Sequence, residues 1–276
     1  MDNATELVGA GAREIAMGKA AGSDTSAFVA VFWNPAMLAF KNDLAVSLNG
    51  KIDDPLGSAD KFGAFGIDWG FGGRLSVGFA ALYRENEKEN TEDDILGYAG
   101  LGYRLNRLNG IGVSLSILSN KYQSPLSFDL GWYRYWNAKW QSSLQVRNLG
   151  FNSRLSAAWQ RNSSGDISQS AELYLRPKTF ELGITHRNFL LRKPASVSLA
   201  LVSYQTADTL FVFDPDWHIF KGHAGFEWAV WHELNLRCGL DGKEISAGAG
   251  YNFSVGEKTL SVDFAYPFSL GLRARF

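Results

Sequence analysis

The sequence predicts an all-β fold, a membrane-spanning antiparallel β-barrel, and three observations predict it. From about Asn42 to Phe276 apolar residues alternate with small or polar ones at period two, the mark of strands with two unlike faces. The alternating segments are roughly 9–11 residues long, the length of a tilted strand crossing a bilayer rather than the ~5–6 of an average soluble strand. Aromatic residues make up 14% of the 276 residues, with 9 Trp, 10 Tyr and 19 Phe, beside 29 Gly and only 7 Pro. That composition suits a barrel with aromatic girdles.

Residues 1–41 read as a first unit, distinct from the alternating remainder. They are irregular or short helical in pattern and rich in small residues, among them Gly9, Gly11, Gly18 and Gly22. The longest apolar stretch, Ala27 to Phe40, is broken by Asn34-Pro35 and falls short of the ~18 residues of a spanning helix. Pro35 has a fixed φ and no N–H, and Asn34 before it is pushed toward extended backbone; a rigid corner rather than a helix is expected. The small residues at 9–12 and 20–22 permit close packing inside a narrow lumen.

Residues 42–276 read as the barrel. Leu75, Val77, Phe79 and Ala81 alternate with Ser76, Gly78 and Ala80; Ile111, Val113, Leu115 and Ile117 with Gly112, Ser114 and Ser116. The same rhythm returns in 126–133, 140–147, 258–265 and 270–276. The count reaches about sixteen segments, within the range of bacterial barrels. Turns are expected at Asn109-Gly110, Asn162 to Gly165 and Asp241-Gly242, with Arg84 to Asp94 as the longest charged connector. One face carries Leu, Val, Ile, Phe and Trp. The other carries Gly, Ser and Ala with scattered charges: Asp129, Arg147, Glu172, Arg237, Asp263, Arg273 and Arg275. A soluble sandwich buries its apolar face, whereas a membrane barrel turns that face to lipid and keeps small and polar groups in the lumen. Closure also gives every strand N–H and C=O an inter-strand partner in lipid. Asp129, Arg147, Arg237, Asp263 and Arg273 are the candidate lumen-facing polar residues. They form either a charge ladder between strands and hatch or a polar track for a solute or protein segment.

The remaining features exclude more than they suggest. A net charge of −1 gives no electrostatic ground for a nucleic-acid partner. Cys238 stands alone, so no internal disulfide forms, and it sits on an apolar strand face as a small hydrophobe. Gly9-x-Gly11 lacks the strand, third glycine and βαβ context of a dinucleotide loop. His223 and Glu227 share a strand face, but no His pair has a zinc-helix spacing, and no metal or cofactor is expected. No nucleophile elbow is present, so the barrel is expected to be non-enzymatic. Neither a basic n-region nor an apolar h-region follows Met1. An outer-membrane protein whose leader is absent or already removed is expected.

Certain residues carry a family resemblance. Gly9-Ala10-Gly11-Ala12-Arg13 to Met17-Gly18-Lys19, then Trp33-Asn34-Pro35-Ala36, open the chain. Asp129-Leu130-Gly131, Asn148-Leu149-Gly150, Gly225-Phe226-Glu227-Trp228, Arg237-Cys238-Gly239 and Gly248-Ala249-Gly250-Tyr251 follow in order. The last strand closes on an aromatic, Phe276, which is similar to the assembly signal of bacterial outer-membrane barrels. Together these resemble the PorV/PorQ family and, more distantly, FadL-type transporters. The resemblance implies fourteen strands, an N-terminal hatch with Trp33, Asn34, Pro35 and Ala36 at its turn, and partners such as a secretion translocon or secreted substrate in type IX secretion or surface attachment. The alternatives it leaves are a FadL-like passive channel for hydrophobic small molecules and a structural barrel subunit of another envelope complex. Departures from the pattern are Lys19 in place of a second glycine and Ser26-Ala27 where an acidic pair is usual.

Overall fold

A computed structural model describes residues 11–24, 27, 29–51, 61–85, 94–119, 126–149, 160–161, 167–168, 178–188, 194–205, 218–266 and 268–276. Before the sheet come α1 (Ala12–Ala16), α2 (Ala30–Trp33) and a 3-10 helix (Pro35–Phe40). Then follow β1 (Leu44–Lys51), β2 (Lys61–Gly70), β3 (Leu75–Glu85), β4 (Asp94–Arg104), β5 (Asn109–Ser119), β6 (Leu126–Tyr135) and β7 (Trp140–Leu149). A two-stranded pair, β8 (Gln160–Arg161) with β9 (Ile167–Ser168), separates these from β10 (Lys178–Arg187) and β11 (Ala195–Gln205). The chain ends with β12 (His218–Ala229), β13 (Leu234–Asp241), β14 (Glu244–Val255), β15 (Lys258–Tyr266) and β16 (Ser269–Arg275).

Fourteen of these strands form a closed antiparallel barrel. Each pairs with its sequence neighbours, β7 pairs directly with β10, and β16 closes onto β1 with Arg275 opposite Ala45. The barrel therefore has the expected fourteen strands, and the count of about sixteen alternating segments exceeds it because β8 and β9 pair with each other outside the barrel. The alternation itself is the lipid/lumen alternation. Leu75, Phe79, Ile111, Val113, Leu115, Ile117, Leu270 and Leu272 are all exposed, and Cys238 lies among the exposed Leu236 and Leu240. Between them Ser76, Ser114, Ser116, Gln141, Ser143, Gln145 and Arg147 are buried.

Two rims follow from the topology. At one, β2–β3, β4–β5 and β6–β7 are joined by turns at 71–74, 105–108 and 136–139, and the chain enters β1 and leaves β16 there, Phe276 N–H bonding Leu44 C=O at 3.0 Å. Short turns mark the periplasmic rim of outer-membrane barrels. Trp69, Phe71, Tyr103, Trp136, Trp140, Trp231 and Phe276 ring it, all exposed, as an interfacial girdle requires. The turn expected at Asn109-Gly110 is corrected: both residues open β5. The turn lies at 105–108, where Asn106 Oδ1 accepts from the N–H of Leu108 (2.8 Å) and Asn109 (2.9 Å), an Asx turn that outcompetes the Asn-Gly signal. Gly242, at φ 63°, turns the chain after Asp241. The turn read at 162–165, most of the Arg84–Asp94 connector, and Gly9, Ala10, Ser26, Gly150 and Glu172 lie outside the described residues.

Candidate functional site: the occupied lumen

The segment before β1 runs through the barrel interior, and nearly every residue described in 11–41 is buried. The wall makes room for it with glycine. A Cβ on Gly112 would lie 2.2 Å from the Pro35 carbonyl carbon, and one on Gly239 would lie 2.1 Å from Gly18 N. Lys19 keeps a left-handed backbone (φ 62°) where glycine is easier, and its ammonium reaches Asp241 at 2.6 Å. Lys221 (2.8 Å) and His223 Nδ1 (3.2 Å) share that carboxylate, and His223 Nδ1 also lies 3.0 Å from Gly18 C=O.

Around α1 the contacts are charged. Arg13 binds both Glu227 oxygens at 2.9 Å and Asp24 at 2.6 Å. Asp24 accepts from Arg187 at 2.9 Å. Beyond Glu227, Arg237 donates to it at 2.5 Å and to Asp263 at 2.6 Å. Arg187, Asp24, Arg13, Glu227, Arg237 and Asp263 thus form one chain of alternating sign from β10, through the inner segment, to β12, β13 and β15. Each buried charge has an opposite neighbour, which is the condition for tolerating it away from water. Burial pushes the Glu14 carboxyl up from its ordinary range against the pull of Arg13 and Arg273. At the exit of the segment, burial pushes the Lys41 ammonium down, opposed chiefly by Asp68, 3.5 Å away.

Around the Asn34 corner the contacts are to backbone. Asn34 is extended (φ −159°, ψ 112°), and its Oδ1 accepts from Ala36 N at 2.9 Å. The corner is there, but helix flanks it on both sides. Pro35 opens the 3-10 helix because a missing N–H costs nothing at a first helical position. Arg147 donates to the Trp33 carbonyl, to Gln145 at 2.8 Å and to Glu181 at 3.4 Å. Ser23 and Thr185 hydroxyls meet at 2.7 Å, and Thr185 meets Ser198 at 2.8 Å. Arg104 donates to Ala39 C=O at 2.9 Å.

The opposite sector is apolar. Ala64, Leu82 and Tyr98 of β2–β4 pack with Phe32, Trp33, Val29 and Val31, and Ala80 and Leu96 flank them. Phe32 meets both Trp33 and Tyr98 edge to face, with ring centroids 5.3 Å apart.

The sequence-selected residues divide accordingly. Arg237 and Asp263 sit in the charge chain, Arg147 holds the corner, and Arg273 lies within the electrostatic reach of Glu14. Asp129 does something else. It accepts from Ser114 Oγ (3.0 Å) and from Asn148 N–H (2.8 Å), where β6 and β7 shift register and Asn148 has φ 56°. Phe276 packs against Lys258 Nζ at 4.7 Å from its ring centroid. Arg13, Asp24, Glu181, Arg187 and Asp241 were not among the lumen-facing candidates read from the sequence. The available signal was that Arg13, Glu14, Lys19 and Asp24 are the only charges in residues 9–40. Among the described residues, no three His, Cys, Asp or Glu groups are placed to hold a metal.

No protein-family model and no curated protein matches the chain. Solved structures match it in fold. The CymD monoaromatic hydrocarbon channel has a TM-score of 0.61 at 12% identity, over 99% of this chain and 97% of its own. The Pseudomonas putida toluene transporter TodX scores 0.57 at 11% identity, over 97% and 96%. A Pseudomonas aeruginosa FadL homologue scores 0.51 at 12%, over 96% and 95%. The chain is an outer-membrane β-barrel of this fold. The resemblance to PorV/PorQ is corrected: the full-length fold likenesses are to hydrocarbon channels and a FadL homologue, not to a secretion-associated barrel.

Proposed function

We propose that the protein is a passive outer-membrane channel for small hydrophobic molecules. The carrying observation is the likeness over 99% of the chain, inner segment included, to a monoaromatic hydrocarbon channel. The lumen supports the reading. Its β2–β4 sector offers Ala64, Leu82, Leu96 and Tyr98 against Phe32, an apolar surface with few polar groups to desolvate. Residues 1–41 act as the hatch, with Trp33, Asn34, Pro35 and Ala36 as its corner. Arg147, Arg237, Asp263 and Arg273 hold it to the wall, and Asp129 fixes the β6–β7 irregularity. The partner this reading requires is the surrounding outer-membrane lipid.

The test is uptake of radiolabelled toluene by cells that lack their own hydrocarbon channels. Expression of the barrel should raise the initial rate severalfold. Widening the apolar sector with Leu82→Ala should change that rate, and narrowing it with Ala80→Trp should abolish the gain. A rate equal to that of the empty vector, with the barrel folded in the outer membrane, would overturn the reading.

A further inference from the structure

We infer that the outer wall of the barrel, at its periplasmic rim, carries a binding site for the phosphate of an anionic phospholipid, centred on Arg134. The residues alternate around it. Tyr133 is fully buried and rings with Tyr135 on the lumen side at 5.1 Å, so Arg134 between them faces lipid. Among the described barrel strands it is the only arginine on that face. Its guanidinium stacks on Trp136, 4.1 Å from the ring centroid. Trp136 Nε1 in turn donates to Ser142 Oγ at 2.8 Å, which fixes the indole as a platform. The Arg134 Nε atom is shielded from solvent and has no hydrogen-bond partner among the described residues.

A fixed, outward-facing cation in the plane of an aromatic girdle needs an anion, because lipid tails offer no acceptor. The nearest source is the phosphate of the inner leaflet. The neighbouring turns reinforce it. Arg74, Arg107 and Lys139 are exposed in the turns at 71–74, 105–108 and 136–139, which hold no acidic residue. Backbone bonds from Tyr135 N–H to Leu108 C=O (2.8 Å) and from Arg104 N–H to Arg74 C=O (2.7 Å) tie these turns into one arc. Across the rim the turns at 230–233 and 256–257 include Glu233 and Glu257. Among the described turns the positive arc is thus one-sided. Exposed Phe71, Leu105, Leu108 and Trp136 in the same turns set it at bilayer depth, which favours a lipid headgroup over a soluble anion.

Native mass spectrometry of the purified full chain tests this, with phosphatidylglycerol and phosphatidylcholine offered in equal amounts. The wild type should retain phosphatidylglycerol preferentially, and Arg134→Leu should cut that retention about fivefold. Lys258→Leu, on the far side of the rim, should leave it unchanged. Heat-modified gel mobility confirms that each variant is folded, and Arg134→Lys keeps the charge if Arg134→Leu does not fold. Equal retention of the two lipids, an undiminished adduct in Arg134→Leu, or full displacement by millimolar inorganic phosphate would each overturn the assignment.

Discussion

Single residues on the inner wall decide whether the segment fits. Gly112 faces the Pro35–Ala36 backbone, and a methyl there would meet the Pro35 carbonyl carbon at 2.2 Å. Backbone cannot swing aside as a flexible side chain does, so Gly112→Ala should destabilise the barrel by about 1–3 kcal/mol. A methyl on Gly63 would meet nothing within 4 Å, and Gly63→Ala should be neutral. Comparing the temperatures at which the folded gel band is lost separates the two; equal shifts would mean that close approach is not what these glycines serve. The same reasoning explains the misleading family resemblance. Gly225, Gly239 and Gly248 lie against Met17, Gly18 and Ala16. Small residues at those strand positions are what any narrow, occupied lumen demands. Motifs built from them report the packing problem rather than kinship.

Elements were legible to different degrees. The barrel strands could be read because lipid and lumen impose opposite chemistry on alternate residues, and the Leu-Ser and Val-Gly rhythm of β3 and β5 records it directly. The strand number was less legible: β8 and β9 are two residues each and pair only with each other, and alternation says nothing about which sheet a strand joins. The charged wall residues Arg237 and Asp263 could be placed in the lumen from their register. Their neighbours could not, since Arg13 and Glu227 are 214 residues apart and charge pairing has no period. That pairing makes a prediction at this scale. Glu227 links α1 to β12 and β13, so Glu227→Ala leaves Arg13 and Arg237 facing one another. Asp24 and Asp263 still hold one side of each arginine, which puts the expected loss at the low end for a broken buried pair, about 3 kcal/mol. Glu227→Gln, which keeps the shape and the acceptor, should recover part of it. Chemical unfolding in detergent reads both, and a Glu227→Ala barrel as stable as wild type would show that α1 is held by packing alone.

At the scale of the whole molecule, the lumen is divided between a charged sector that grips the inner segment and an apolar sector that it leaves lined with Phe32, Leu82 and Tyr98. A passive channel with this layout has two routes: solute passes when the segment shifts, or it slips along the apolar sector while the segment stays in place. The Ser23–Thr185 contact distinguishes them. Its two side-chain oxygens are 2.7 Å apart, close enough for a disulfide to replace the hydrogen bond with little movement. Cys238 faces lipid, so a Cys238→Ser background removes the competing thiol at small cost. In that background, Ser23→Cys with Thr185→Cys should form the bridge on oxidation and pin the segment to β10. Because the charge chain joins the segment to four strands, its movement would have to be concerted, and one covalent tether should suffice to stop it. Toluene uptake is therefore expected to fall severalfold when the bridge is oxidised and to return on reduction. Uptake indifferent to the redox state would assign the path to the fixed apolar sector instead, and the ion pairs would then be a permanent anchor.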